Sequence, residues 1–77
     1  MADDALLSLI AGTLGILPAE VNDASDMSST RKWDSLRQLM LMTELETQYG
    51  IELTDREMLE ATSVAGIRTV LAARGIA

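Results

Sequence analysis

The chain contains no cysteine and no histidine. Without thiols no disulfide staples the fold, and without a Cys/His set nothing holds a structural zinc, so stability must come from packing Leu, Ile, Val, Met and Ala. The same two absences remove the usual nucleophilic thiol and the usual near-neutral proton shuttle. Any reactive thiol has to arrive on something attached. Basic residues are also scarce, with six Lys and Arg against twelve Asp and Glu and a net charge of −6. That charge repels phosphate backbones and favours partners with basic patches, so nucleic acid is not an expected ligand.

A run of membrane-spanning length is missing too. Residues 5–19 are uncharged, but they fall short of the roughly 20 residues a bilayer requires. Gly12, Gly15 and Pro18 interrupt them. Asp3 and Asp4 stand where a secretory signal would carry positive charge. The expectation is a cytoplasmic chain without membrane insertion. With 77 residues it forms one domain at most, and a domain of this size buries only about 60 to 65% of its unfolded surface. A deep catalytic cleft is therefore not expected, and neither a Gly-rich phosphate loop nor metal-ligand spacing is present.

What is present reads as helix. Leu6, Leu7, Ile10, Leu14 and Leu17 recur at the spacing of one helix face, with Asp3 or Asp4 placed as a cap and Gly15 and Pro18 marking the stop. A polar, turn-forming stretch of about 15 residues follows, a length that in small domains is functional or mobile. Val21 and Met27 are its expected anchors to the core. A second helix should begin at Asp34 or Ser35 and run to about Tyr49, where Gly50 can end it and Ile51 can fold back on the last turn. Thr54-x-x-Glu57 has the form of a capping box opening a short helix that buries Met58 and Leu59. Thr62 or Ser63 then caps a last helix with Val64, Ile67, Val70 and Leu71 on one face and Gly75 after its end. The fold class is all-α: a four-helix bundle with a long first loop and a short third helix.

Two features of the second helix stand out. Ser35-x-x-Gln38 fits a capping box, which would make the serine a structural cap and nothing more. Leu39, Met40, Leu41 and Met42, however, sweep about 300° of the helix circumference, more than one bundle face can bury. Either the helix is central to the bundle or part of the run is left exposed near Ser35 as a docking stripe, for which methionine is well suited.

The segment WDSLRQLMLMTELETQYGIEL, residues 33–53, resembles the second helix and following loop of an acyl carrier protein. Asp34-Ser35-Leu36 matches the family's D-S-L, and the order continues through Leu45-Glu46, Tyr49, Ile51-Glu52-Leu53 and Thr62-Ser63-Val64. The resemblance implies that Ser35 is the attachment point for 4′-phosphopantetheine, with Asp34 as a positioning residue or, equally, a cap of the same helix. It implies a carrier without catalysis of its own and a monomer. The implied partners are a phosphopantetheinyl transferase and acyl-loading and acyl-processing enzymes, contacted through Leu36, Arg37, Leu39, Met40 and Glu44. Leu41, Leu45 and Ile67 are expected in a closed core.

Departures from the family are specific. Fatty-acid carriers place Leu-Gly shortly before D-S-L, where this chain has Arg31-Lys32-Trp33. Arg37 and Met40 stand where acidic residues are common, so apolar docking should outweigh electrostatic steering. That suggests a dedicated carrier of a polyketide, specialised fatty-acid or related pathway. Peptidyl carriers usually have Gly-Gly before the site, which is missing here. They remain the alternative, as does a helical interaction module whose serine is only a cap. The start at Met1 and the close finish after the last helix favour a free-standing protein.

Overall fold

The computed structural model describes residues 5–76, and their order is α1 (Ala5–Leu14), a 3-10 turn (Pro18–Glu20), α2 (Ser35–Tyr49), α3 (Asp55–Glu60) and α4 (Val64–Ala73). Each of the three longer helices is closed by a Gly-Ile pair. After α1, Ile16 N–H donates to the Ala11 carbonyl at 3.0 Å and Gly15 N–H to the Gly12 carbonyl at 3.3 Å. The same reversal recurs where Ile51 N–H reaches the Glu46 carbonyl and Ile76 N–H the Leu71 carbonyl. This ending needs left-handed backbone at the glycine, as φ of 74° at Gly15 and 65° at Gly50 show. The residue after the glycine then folds back on the core.

That geometry corrects one expectation for α1. Leu6, Ile10 and Leu14 are buried as their spacing predicts, but Leu17 is 68% exposed and Ile16 takes the core position. The turn at Gly15 breaks the helical period, so counting on by three from Leu14 selects the wrong residue. The expected aspartate cap of α1 lies outside the described residues.

Ile10, Leu14, Leu41, Leu45, Val64 and Ile67 are the largest fully buried side chains, and they come from α1, α2 and α4. Leu41, Leu45 and Ile67 thus lie in a closed core, and Val64, Ile67, Val70 and Leu71 all face inward. α3 is different because it contributes no buried residue. Met58 packs against the core only in part, and Leu59, expected inside, is 78% exposed. This six-residue helix is fastened at its ends instead. Thr54 and Glu57 form the expected capping box, and Arg74 reaches across from α4 to Glu57.

α4 begins at Ser63, whose hydroxyl accepts from Gly66 N–H at 2.9 Å. Gly66 has a second constraint, since a Cβ at that position would stand 2.0 Å from the Glu60 carbonyl oxygen. Only a bare backbone permits the end of α3 to approach α4 this closely.

The long loop is strapped to the same junction. Met27 N–H donates to the Thr62 carbonyl at 2.8 Å, and Val64 N–H to the Ser25 carbonyl at 3.0 Å. These bonds make the isolated antiparallel bridge between Asp26 and Ser63. Val21 is buried and Met27 half-buried, so both expected anchors hold. The start of α2 is thereby set beside the α3–α4 connection.

Candidate functional site

Asp34, not Ser35, is the N-cap of α2. Its extended backbone precedes the helix, and Oδ1 accepts from Arg37 N–H at 2.9 Å. The capping box expected of Ser35 and Gln38 does not form; Asp34 caps the helix without one. Ser35 becomes the first residue of the helix proper, exposed to solvent. Among the described residues its hydroxyl has no hydrogen-bond partner. The backbone N–H groups of Ser35 and Leu36 are the orphan donors that every helix start leaves over, because the cap satisfies only the Arg37 N–H.

Gln38 is freed for another task. The indole Nε1 of buried Trp33 donates to Gln38 Oε1 at 2.7 Å, and Gln38 Nε2 donates to the Ala61 carbonyl at 3.0 Å. One amide thus ties the loop before Ser35 to the end of α3. Trp33 occupies a core position, 3% exposed, so the Arg31-Lys32-Trp33 departure still supplies an apolar anchor there. The sequence signal for Gln38 was misleading, because its spacing from Ser35 imitates a local cap.

The loop ahead of the site is held on both sides. Arg31 makes a two-pronged pair with Glu20, Nε to Oε1 at 3.0 Å and Nη2 to Oε2 at 3.2 Å. The Arg31 guanidinium, helped by Leu17 N–H, holds the Glu20 carboxyl below its usual range. On the far side, Asp26 accepts from the Ser28 and Ser29 hydroxyls and from Ser29 N–H. The hydroxyls, Ser28 first, lower its pKa. An open depression of about 740 Å³ borders Ser35 on the Asp26 side, with Asp26, Met27, Ser28, Thr62 and Ser63 among its lining.

The apolar run of α2 divides. Leu41 and Met42 are buried, while Leu36, Leu39 and Met40 are 66%, 64% and 43% exposed. Leu36, Leu39 and Met40 therefore form an uncovered surface on the helix that Ser35 begins. Arg37 turns elsewhere, with Nη1 donating to the Thr13 carbonyl near the end of α1 at 3.0 Å. Exposed Glu44 lies with Arg37 and Met40 along an open groove between α1 and α2. Glu46, the other α2 carboxylate, accepts from Leu53 N–H at 2.8 Å and so holds the loop after the helix.

A family model described as "Phosphopantetheine attachment site" matches residues 4–71. The chain is also 33% identical over 69 residues to "Polyketide-8 synthase acyl carrier protein 2" of Streptomyces avermitilis, covering 90% of this chain and 79% of that protein. The chain belongs to the acyl carrier protein family.

Phosphopantetheine is the prosthetic group of this family, and its members present cargo to enzymes without being enzymes themselves. They work with a phosphopantetheinyl transferase and with synthase and processing enzymes. The carrier's own residues fit the group. Ser35 offers an unengaged primary alcohol, unclaimed N–H groups and the positive end of the α2 dipole suit a phosphate there, and the adjoining depression leaves the serine approachable. No described helix is long and apolar enough to cross a membrane. No described cluster of His, Cys, Asp and Glu is placed to hold a metal.

Proposed function

We propose that Ser35 Oγ is the attachment point for 4′-phosphopantetheine and that this carrier serves a dedicated pathway of the polyketide type. The observation that carries the reading is the free, exposed hydroxyl of Ser35 at the first position of α2, within the segment the family model matches. Asp34 positions it by capping the same helix. When attached, the arm supplies the thiol that the sequence lacks and holds an acyl group as a thioester.

The polyketide assignment draws on the name of the relative from Streptomyces avermitilis and on the unusual face of α2. Leu36, Leu39 and Met40 are exposed apolar groups beside the serine, a surface better suited to an apolar recess on a partner than to a basic patch. Glu44 flanks it. Arg37 stands at the margin, its guanidinium partly engaged by α1.

Incubation with coenzyme A and a broad-specificity phosphopantetheinyl transferase tests the attachment. One phosphopantetheine mass should be gained, and Ser35→Ala should abolish the gain. A gain that survives in Ser35→Ala refutes the assignment. Mass spectrometry of carrier isolated from its native source would then identify the acyl cargo and hence the pathway.

A further inference from the structure

The carrier has six basic residues, and five of them are engaged. Arg31 pairs with Glu20, Arg56 with Glu60, Arg68 with Asp23 and Arg74 with Glu57, and Arg37 donates to the Thr13 carbonyl. Lys32 is the sole lysine. Among the described residues its ammonium makes no ion pair or hydrogen bond, though its charge helps to lower the Glu20 pKa from a distance, and the residue is exposed.

Its backbone is unusual too. Lys32 has φ of 68°, the one positive φ of a non-glycine described residue. Both neighbours are fastened, Arg31 by its two-pronged pair with Glu20 and Trp33 by burial and the bond to Gln38. Two turn bonds fix the intervening peptide units, Trp33 N–H to the Thr30 carbonyl at 3.2 Å and Asp34 N–H to the Lys32 carbonyl at 3.1 Å. The loop therefore holds the backbone of this residue at a set point three residues before Ser35. Three residues span at most about 10 to 11 Å when extended. The turn shortens that distance, and the four-carbon stem of lysine together with the offset of a group borne on the serine oxygen can close it.

We propose that Lys32 is a positioning residue that pairs with the phosphodiester of the arm on Ser35. The inference rests on the attachment at Ser35 proposed above. A phosphate on Ser35 lies beside Asp34 and Asp26 in a chain of net charge −6, an unfavourable field for an anion. The unclaimed N–H groups at the start of α2 offset part of that field, and Lys32 is the nearby cation bound to no acceptor among the described residues. Arg37 is committed to the Thr13 carbonyl near the end of α1, and the carboxylate on which Lys32 is seen to act is Glu20, which Arg31 already holds. The pair would restrict the first bonds of the arm while leaving its distal end free. A carboxylate on a partner enzyme is the competing occupant. The phosphodiester is favoured because it is covalently held within reach, whereas a partner's group has to be brought there.

Because the chain has one lysine, its side-chain NMR signals assign themselves. The test compares apo and holo carrier by the Lys32 Cε–H resonance, and holo wild type with holo Lys32→Gln and Lys32→Arg by the phosphorus resonance of the arm. Loading is checked by mass in each sample. The expected result is a Lys32 shift on loading, a displaced phosphorus signal in Lys32→Gln and its recovery in Lys32→Arg. Both differences should collapse at about 1 M salt, where the screening length is about 3 Å. A Lys32 signal unchanged between mass-verified apo and holo protein overturns the inference, and needs no variant to fold. A signal that moves only when a partner enzyme is added overturns it in favour of the carboxylate. Failure to load Ser35 at all overturns the attachment itself, and this inference with it.

Discussion

The side chain of Gln38 accepts from the Trp33 indole at 2.7 Å and simultaneously donates to the Ala61 carbonyl at 3.0 Å, with the Met58 carbonyl a longer second acceptor at 3.4 Å. The side chain joins the loop before Ser35 and the first turn of α2 to the end of α3, 23 residues further along the chain. Since α3 buries no side chain, polar fastenings of this kind hold it in place of apolar packing.

Gln38→Ala should therefore act at a distance. It leaves the partly buried indole N–H and the Ala61 carbonyl without their partner, a loss of about 1 to 3 kcal/mol. Urea denaturation should show a lower midpoint. Native-state hydrogen exchange should show the amides of α3 losing protection before those of α1, and equal loss in both helices would contradict the fastening role.

Asp34 and Ser35 make a matched pair for separating cap from attachment. Asp34→Ala removes the N-cap and should cost about 1 kcal/mol. Ser35→Ala removes a hydroxyl that bonds to nothing in the protein, so its effect should stay within about 0.5 kcal/mol. If the two denaturation midpoints fall in the opposite order, the assignment of Asp34 as the cap is wrong.

What was legible in the sequence follows from how far each determinant reaches. Gly50 as a helix end, the Thr54–Glu57 box and a cap at Thr62 or Ser63 depend on partners within about four residues, and the inward face of α4 on its own period; the structure shows each, with Ser63 as the cap. The D-S-L reading rests instead on family resemblance, and the structure places Ser35, Leu36 and Leu39 exposed on the one helix. Leu17, Leu59 and the Ser35–Gln38 box were misread where a turn or a long-range bond overrides the local period. The partner carbonyl of Gln38 lies 23 residues away, which no local pattern reveals. The left-handed Lys32 is similarly invisible, since the fastened residues on either side impose it.

Gly66→Ala tests the close approach of α3 to α4. The added Cβ would meet backbone, the Glu60 carbonyl at 2.0 Å, so relief requires moving a helix end and not merely a side chain. Overpacking of this kind costs about 1 to 3 kcal/mol, which outweighs the gain of up to about 1 kcal/mol that alanine normally brings to a helix. A thermal midpoint equal to or above that of the parent protein would contradict the contact.

Acid stability should depend on Glu57. It accepts from Arg74 Nε at 2.9 Å and Nη2 at 2.6 Å and from Thr54 N–H at 2.9 Å, and the Arg74 bonds foremost lower its pKa from 4.5 to about 2. The folded pKa is depressed, so the contribution is complete above about pH 4.5 and is lost as pH falls toward 2. Glu57→Gln should flatten that part of the stability profile. Thermal midpoints measured from pH 5 to pH 2 would check it, and an unchanged slope in the variant would exclude Glu57 as the source.

Lys32→Gly sets two backbone terms against each other. Left-handed backbone costs a residue with a Cβ about 1 to 2 kcal/mol, and glycine at φ of 68° escapes that cost. Glycine also gives the unfolded chain more freedom, which opposes folding by about 0.5 to 1 kcal/mol. The net is a gain of up to about 1.5 kcal/mol, obtained by deleting an exposed cation that makes no hydrogen bond or ion pair within the described residues and only a Coulombic contribution at Glu20. If Lys32 serves the phosphodiester, the more stable Lys32→Gly carrier should also lose the salt-sensitive part of the arm's phosphorus shift. Stability and shift should therefore move in opposite senses, which paired urea denaturation and phosphorus NMR on one sample would read directly.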